Sequence, residues 1–373
     1  MSESNTSGSI YDDFIQLEQL SYVNGKPENS ALLKQELTDF RVNEELGFSL
    51  TGSGDHLFVR VRKTDVTTTD VARRLAAVSG LSLRHIGYSG MKDRRGECTQ
   101  WFSVPLASTD ERLLVELEDP TLEILETRRN SRKLKIGSHK RNYFEILLRQ
   151  CSGEPAGFEE KLNSIKRGGV PNYFGSQRFG RDMGNLAQIV QLFAAEQRAI
   201  SGGEKVNASR RGKGSHTRGM LFSAARAYLF NQVLSERIQR GSWSAYVAGD
   251  VLNLDDTARY FTVEAGAWDA QLQQRLESFD IHITGPLAGV TDPKDRYASL
   301  SEAADIEDAV LAQFTELVRG LKAYGLQSGR RPMRFNPQNL AWQWLSPGEL
   351  KLEFTLPRGA YATSLLRELC ITN

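Results

Sequence analysis

Cysteine is scarce in this sequence. Cys98, Cys151 and Cys370 are an odd, widely spaced set with no Cys-x-x-Cys pair, which argues against a disulfide framework and a zinc knuckle and suits a reducing compartment. Histidine is nearly as rare: His56, His85, His139, His216 and His282 stand without ligand spacing, and there is no H-E-x-x-H, so the sequence implies no metal site. No G-x-x-x-x-G-K-[ST] loop is there to cradle phosphates. GYSGM at positions 87–91 ends in Met91 where a nucleophile elbow needs its last glycine, and serine hydrolase chemistry loses its basis with it. Long apolar runs are missing too, and the opening MSESNTSGSIYDDF is polar and acidic. The expectation is a cytoplasmic protein with neither signal peptide nor membrane span.

An excess of charge of one sign is also absent. Lys and Arg number 47 against 46 Asp and Glu, a formal net charge of +1 over 373 residues. Any polyanion site must therefore come from charge gathered on one face. With 25% charged and 40% hydrophobic residues the chain has the composition of a globular protein, and its length suits two domains or one domain carrying an insertion.

The pattern along the chain favours the second. Leu57, Val59 and Val61 alternate with Phe58, Arg60 and Arg62, the period of a half-buried strand, within a strand-rich region from Ala31 to Arg62. Thr69 then reads as the cap of a helix whose Val71, Leu75 and Val78 share a face and which Gly80 stops, so that helix should pack on the sheet. GYSGMKDRR, from Gly87 to Arg95, is a loop leading to a strand at Gln100–Leu106. A further strand at Tyr143–Leu148 precedes a short helix with Phe158, Leu162 and Ile165 on one face, ended by Gly168 and Gly169. From there to about Phe335 the pattern is mainly helical, with Ile306, Val310, Phe314, Leu317 and Leu321 on one stripe. Alternation returns at Leu352, Phe354 and Leu356, and a helix near Ala362–Leu369 closes the chain. The fold class expected is α+β: a domain of residues 1–168 and 336–373 with a mixed or antiparallel sheet, interrupted by a mainly helical insertion at 169–335.

Basic residues cluster in two places. The stretch 128–149 holds eight Lys or Arg against the single acid Glu145, and 210–218 holds four with no acid. A solvated strand face and a surface loop would look the same. Tyr143 and Phe144 just after Lys140 and Arg141 favour an RNA reading, because cations beside a stacking ring suit an unpaired base. Asp93, flanked by Lys92, Arg94 and Arg95, is either a turn former or a carboxylate kept ready among cations as acceptor or nucleophile.

Six collinear blocks then carry a resemblance: LKQELTDFRVNE, GYSGMKD, RNYF, GVPNYFGSQRFG, SAARAYLFN and LPRGAYATSLLREL, spanning Leu33 to Leu369. In order and spacing they resemble the TruD family of tRNA pseudouridine synthases. The resemblance implies a pseudouridine synthase catalytic domain with a TRUD insertion, acting without metal or organic cofactor on uridine-13 of tRNA. It puts the catalytic carboxylate on Asp93, as nucleophile or as base. It puts the ion-pair partner on Lys34 and the substrate pocket on Phe40, Asn142, Phe144 and Tyr361, the last where the family commonly has Phe. Strand alternation from Lys34 sets Phe40 on the same face. The target uridine would be flipped into the pocket and its stacking replaced by a ring. Phosphate contacts are expected from Arg128, Arg132, Lys133, Lys140, Arg141, Arg210, Arg211 and Lys213. Asn172, Tyr173, Phe174, Gln177, Arg178 and Phe179 would either touch RNA or dock the insertion. The expected partner is tRNA, with no membrane and no nucleotide cofactor, and the chain is expected to be a monomer. Two alternatives stand beside this: a same-fold RNA-binding or chaperone protein without turnover, and a pseudouridine synthase acting on another RNA.

Overall fold

A computed structural model describes residues 14–106, 114, 116–201, 216–291 and 297–373. The chain divides into two compact units. One comprises Pro27–Arg167, Asn336–Ala362 and Leu369–Asn373; the other comprises Gly168–Phe335, the described part of Met1–Lys26, and Thr363–Glu368.

The first unit opens with β1 (Ser30–Leu32), β2 (Phe40–Leu46) and β3 (His56–Thr64), then helix α1 (Thr68–Val78). Strand β4 (Gly87–Tyr88), β5 (Glu97–Pro105), β6 (Leu122–Asn130), β7 (His139–Ser152) and helix α2 (Pro155–Gly168) follow. α1 packs on the sheet as its periodicity demands: Val71, Ala72 and Leu75 bury against Leu57, Val59, Val61, Phe102 and Val104. Each buried Val, Leu or Phe of this set contributes about 1.5–3 kcal/mol relative to leaving it in water. The helix starts two residues earlier than Thr69 suggested, because Thr67 is its cap, its hydroxyl accepting the Asp70 amide at 3.1 Å. Gly80 at φ +64° ends it. β3 alternates as expected, with Leu57, Val59 and Val61 buried and Arg60 and Arg62 partly exposed; Phe58 alone departs from the pattern, packing against Trp101 and Leu134 on the other face.

The second unit holds β8 (Val170–Pro171), α3 (Gly184–Ser201), a central helix His216–Gln239, β9 (Val251–Leu254), β10 (Tyr260–Thr262) and a helix Ala270–Glu277. It continues with β11 (Ile281–Leu287), helices Ser301–Leu311 and Thr315–Ala323, β12 (Gly329–Pro332) and β13 (Arg334–Phe335). Its helices bury an aromatic core, but it also carries a four-stranded sheet in the order β10-β9-β11-β12, which the helical sequence pattern did not announce. Tyr173, Phe174 and Phe179 are core here: Phe174 meets Phe230, Phe179 meets Tyr228, and the Tyr173 hydroxyl donates to the Ser21 carbonyl.

β14 (Gln338–Ser346) and β15 (Glu349–Pro357) return to the first unit, followed by the helix Ala362–Leu369 and β16 (Ile371–Thr372). The ten-stranded sheet runs β14-β15-β7-β2-β5-β3-β6, with β1, β4 and β16 off that path. β2 and β5 pair in parallel, while β7 pairs antiparallel with both β2 and β15. The α+β class with a mixed sheet is therefore borne out. No helix among the described residues is long and apolar enough to cross a membrane.

Candidate active site

One row of side chains across the sheet defines the site. Lys63 on β3 is opposite Cys98 on β5, Cys98 is opposite Val42 on β2, Val42 is opposite Phe144 on β7, and Phe144 is opposite Phe354 on β15. In the next row Glu44, Asn142 and Leu356 face one another. Residues opposite across a ladder share a face, so β2, β7 and β15 present Glu44, Asn142, Phe144 and Phe354 together.

The rings form a graded stack. Phe354 lies nearly parallel to Phe144 with centroids 5.3 Å apart, and Phe40 meets Phe144 edge-on at 6.0 Å. Lys34 Nζ sits 3.9 Å from the Phe40 centroid, a cation over an aromatic face. The two residues do share a side, but not through strand alternation: a 3-10 turn at Leu37–Asp39 lies between them, and Lys34 adopts φ +58°. Gly96 lets the next loop cross Phe40 closely. Its φ is +141°, and a Cβ there would come 2.7 Å from the Phe40 carbonyl oxygen.

Asp93 is fixed by its loop. Lys34 Nζ donates to Asp93 Oδ2 at 2.7 Å, and both side chains are largely withdrawn from solvent. The buried Lys63 ammonium donates to the Asp93 carbonyl at 2.5 Å and to the Val66 carbonyl at 2.8 Å, tying the loop to the end of β3. Burial pushes Lys63 below the usual lysine range, opposed by Cys98 and Asp93. Burial likewise pushes the Cys98 thiol up, with Lys63 acting the other way. Thr68, at the start of α1, accepts the Lys92 amide at 2.9 Å and donates to Gln100.

The cations beside Asp93 in sequence point elsewhere. Lys92 turns into the sheet, 3.0 Å from Glu44 Oε2 and 2.5 Å from Asn142 Oδ1. Arg94 pairs with Asp65, and Arg95 reaches the Gln35 carbonyl. His139, next to this cluster, is pushed below the usual imidazole range by burial and by Lys92, while Glu44 acts the other way.

The structure thus brings Lys34, Phe40, Asp93, Asn142 and Phe144 into one neighbourhood. Tyr361 is half-buried just ahead of the last helix. Sequence reasoning assigned no role to Glu44, Lys63 or Phe354. The alternation of Leu352, Phe354 and Leu356 marked a buried strand, and only its pairing with β7 makes Phe354 the ring behind Phe144. The basic stretch is divided, because β2, β5 and β3 lie between β6 and β7 in the sheet. Arg128 pairs with Glu126 at 2.5 Å, Lys133 donates to the Arg84 carbonyl, and Arg141 donates to Gln338. Arg132 and Lys140 are exposed. Arg210, Arg211 and Lys213 lie outside the described residues. Among the described residues no three His, Cys, Asp or Glu side chains gather as a metal site would need.

Comparison with known proteins adds the family context. A model of the family described as tRNA pseudouridine synthase D (TruD) matches residues 16–195 and 205–369. A protein named tRNA pseudouridine synthase D from Nitrosococcus oceani is 40% identical over 355 residues, covering 95% of this chain and 94% of its own length. One of the same name from Hydrogenovibrio crunogenus is 35% identical over 355 residues, with 95% and 97% covered. The crystal structure of the putative tRNA pseudouridine synthase D (TruD) from Methanosarcina mazei gives a TM-score of 0.68 at 23% identity, covering 94% of this chain and 95% of that one. That last likeness is one of fold.

Proposed function

The chain belongs to the tRNA pseudouridine synthase D (TruD) family, and from that premise we propose that it isomerises uridine-13 of tRNA to pseudouridine with Asp93 as the catalytic carboxylate. The observation that carries this reading is the Asp93 carboxylate, ion-paired to Lys34 at 2.7 Å beside the Phe40 and Phe144 rings.

The reaction must break the bond from uracil N1 to ribose C1′, turn the base, join C5 to C1′ and release the C5 proton. A carboxylate oxygen under the sugar serves this either by bonding to the electron-deficient C1′ or by removing a ribose proton, and in both roles it meets the charge demand that glycosidases meet with a carboxylate. Lys34 holds one oxygen, Oδ2, and so orients the other. Phe40 and Phe144 offer stacking to a uridine drawn out of its own stack, and Asn142 offers an amide to its edge. Tyr361 adds a ring with a hydroxyl to the same pocket. The phosphates of the tRNA meet the exposed Arg132 and Lys140, with Arg128, Lys133 and Arg141 nearer to protein partners; Arg210, Arg211 and Lys213 are proposed as further phosphate contacts. Residues 1–168 and 336–373 act as the catalytic domain and 169–335 as the insertion, in a monomeric cytoplasmic enzyme.

The test is Asp93→Asn, which changes charge at constant shape. It is expected to fold and to bind tRNA while forming no pseudouridine; product from that variant removes Asp93 from its role. Mapping pseudouridine in RNA from cells with and without the protein decides the position: a modification lost at a site other than 13 favours the reading in which another RNA is the substrate.

A further inference from the structure

The side chain that faces Lys92 fixes which way the Asn142 amide points. An ammonium has three N–H donors and no acceptor, so the amide atom 2.5 Å from Lys92 Nζ must be the oxygen, Oδ1. Amide orientation is ordinarily ambiguous, but here the chemistry of the neighbour resolves it. Lys92 is itself held in place by the buried Glu44 carboxylate at 3.0 Å and by its own backbone amide on Thr68. Asn142 is 8% exposed, and its oxygen is engaged. Its Nδ2 donates to no protein acceptor among the described residues, so with the oxygen held against Lys92 the donor end of the amide is the one left to meet a ligand.

We propose that Lys92 and Glu44 are positioning residues that hold the Asn142 amide with its Nδ2 donor toward the base, aimed at uracil O4 and so rejecting cytosine. Uracil carries a carbonyl acceptor at position 4, where cytosine carries an amino group with two donors. A donor held against that amino group leaves both unpaired in a buried site, which is the arrangement that discriminates most strongly. Were the amide free to turn, its oxygen would accept from the cytosine amino group and selectivity would be lost. The inference rests on the reading of Asn142 as a contact of the flipped base.

The experiment measures dissociation constants in the Asp93→Asn background, where bound uridine stays unconverted, for tRNA carrying uridine or cytidine at the target position. The unaltered site is expected to favour uridine by about tenfold or more; equal binding overturns the assignment to O4. Lys92→Met with Glu44→Gln removes the clamp without stranding a buried charge, and the ratio is expected to collapse toward one. Asn142→Asp, whose carboxylate keeps the Lys92 contact and presents only an acceptor, is expected to invert the preference toward cytidine. This arm decides the matter if the double variant does not fold; a persisting preference for uridine in it overturns the proposal. Asn142→Ala separates the layers. If it leaves the uridine preference intact, the reading of Asn142 as a base contact is wrong. If it erases the preference while the Lys92 and Glu44 variant retains it, the orientation proposal alone is wrong.

Discussion

Lys34 and Asp93 are 59 residues apart in sequence and 2.7 Å apart in space, and Lys34 makes the contact from a left-handed backbone conformation at φ +58°. A side-chain-bearing residue held there costs of order 1–3 kcal/mol, which the surrounding structure must outweigh. The same ammonium lies over Phe40, so one side chain registers the carboxylate against the ring.

Lys34→Met is therefore expected to lower kcat about 100-fold, the scale of a misplaced reactive group, with tRNA affinity little changed. Lys34→Arg is not expected to restore it, since a planar fork does not replace a point charge over the ring. Single-turnover pseudouridine formation measures both. Turnover indistinguishable from the unaltered chain would take the positioning role away from Lys34.

Gly96→Ala puts a methyl group against the Phe40 carbonyl and its ring at a φ of +141°. A loss of roughly 1–3 kcal/mol from backbone strain is expected, with more from the clash. Because the clash falls on Phe40, activity should drop along with the urea midpoint. A variant of unchanged midpoint would mean that the loop has slack there.

His139 predicts an acid limit to stability. Its folded-state pKa lies below the ordinary 6.5, from burial first and then from Lys92, with Arg358 adding to the effect and Glu44 and a Ser89 backbone contact opposing it. The unfolded chain therefore takes up a proton that the folded one resists. The stability is fully present above 6.5 and is lost as pH falls through the lower folded value. Burial depresses His56 in the same direction. Urea midpoints should decline below neutrality, and His139→Gln should flatten the decline; an equally steep decline in the variant contradicts the assignment.

Arg128 already faces Glu126 at 2.5 Å, while Arg132 and Lys140 are exposed. Arg132→Ala and Lys140→Ala are each expected to weaken tRNA binding and to reduce the salt slope by about one, and Arg128→Ala by less. A slope that no substitution moves would place the phosphates elsewhere.

Much of this was legible in the sequence where a period ran long enough to show. The 71, 75 and 78 positions gave α1, and the 352, 354 and 356 positions gave β15, because burial on one face leaves a regular trace. The cap was misplaced because three threonines stand in a row and only geometry tells which one reaches the Asp70 amide. The sheet β9 to β12 was hidden because its strands are short and β11 contains Gly285 and Pro286, which read as breakers. In the site, the fragment pattern pointed to Asp93, Asn142 and Phe144. It could not tell that Lys92 and Asp93, adjacent in the chain, engage different partners, one toward Glu44 and the other toward Lys34. Pairing across strands is a long-range property, and that is also why Phe354's place behind Phe144 did not show.

The ring behind Phe144 comes from residue 354, and β1 near the start of the sheet pairs with β16 through Ser30 and Ile371. On a ribosome the Asp93 loop emerges long before either of those late strands. A product terminated before residue 354 would hold the Asp93 carboxylate without the ring behind Phe144, and such truncated forms are expected to be inert on RNA.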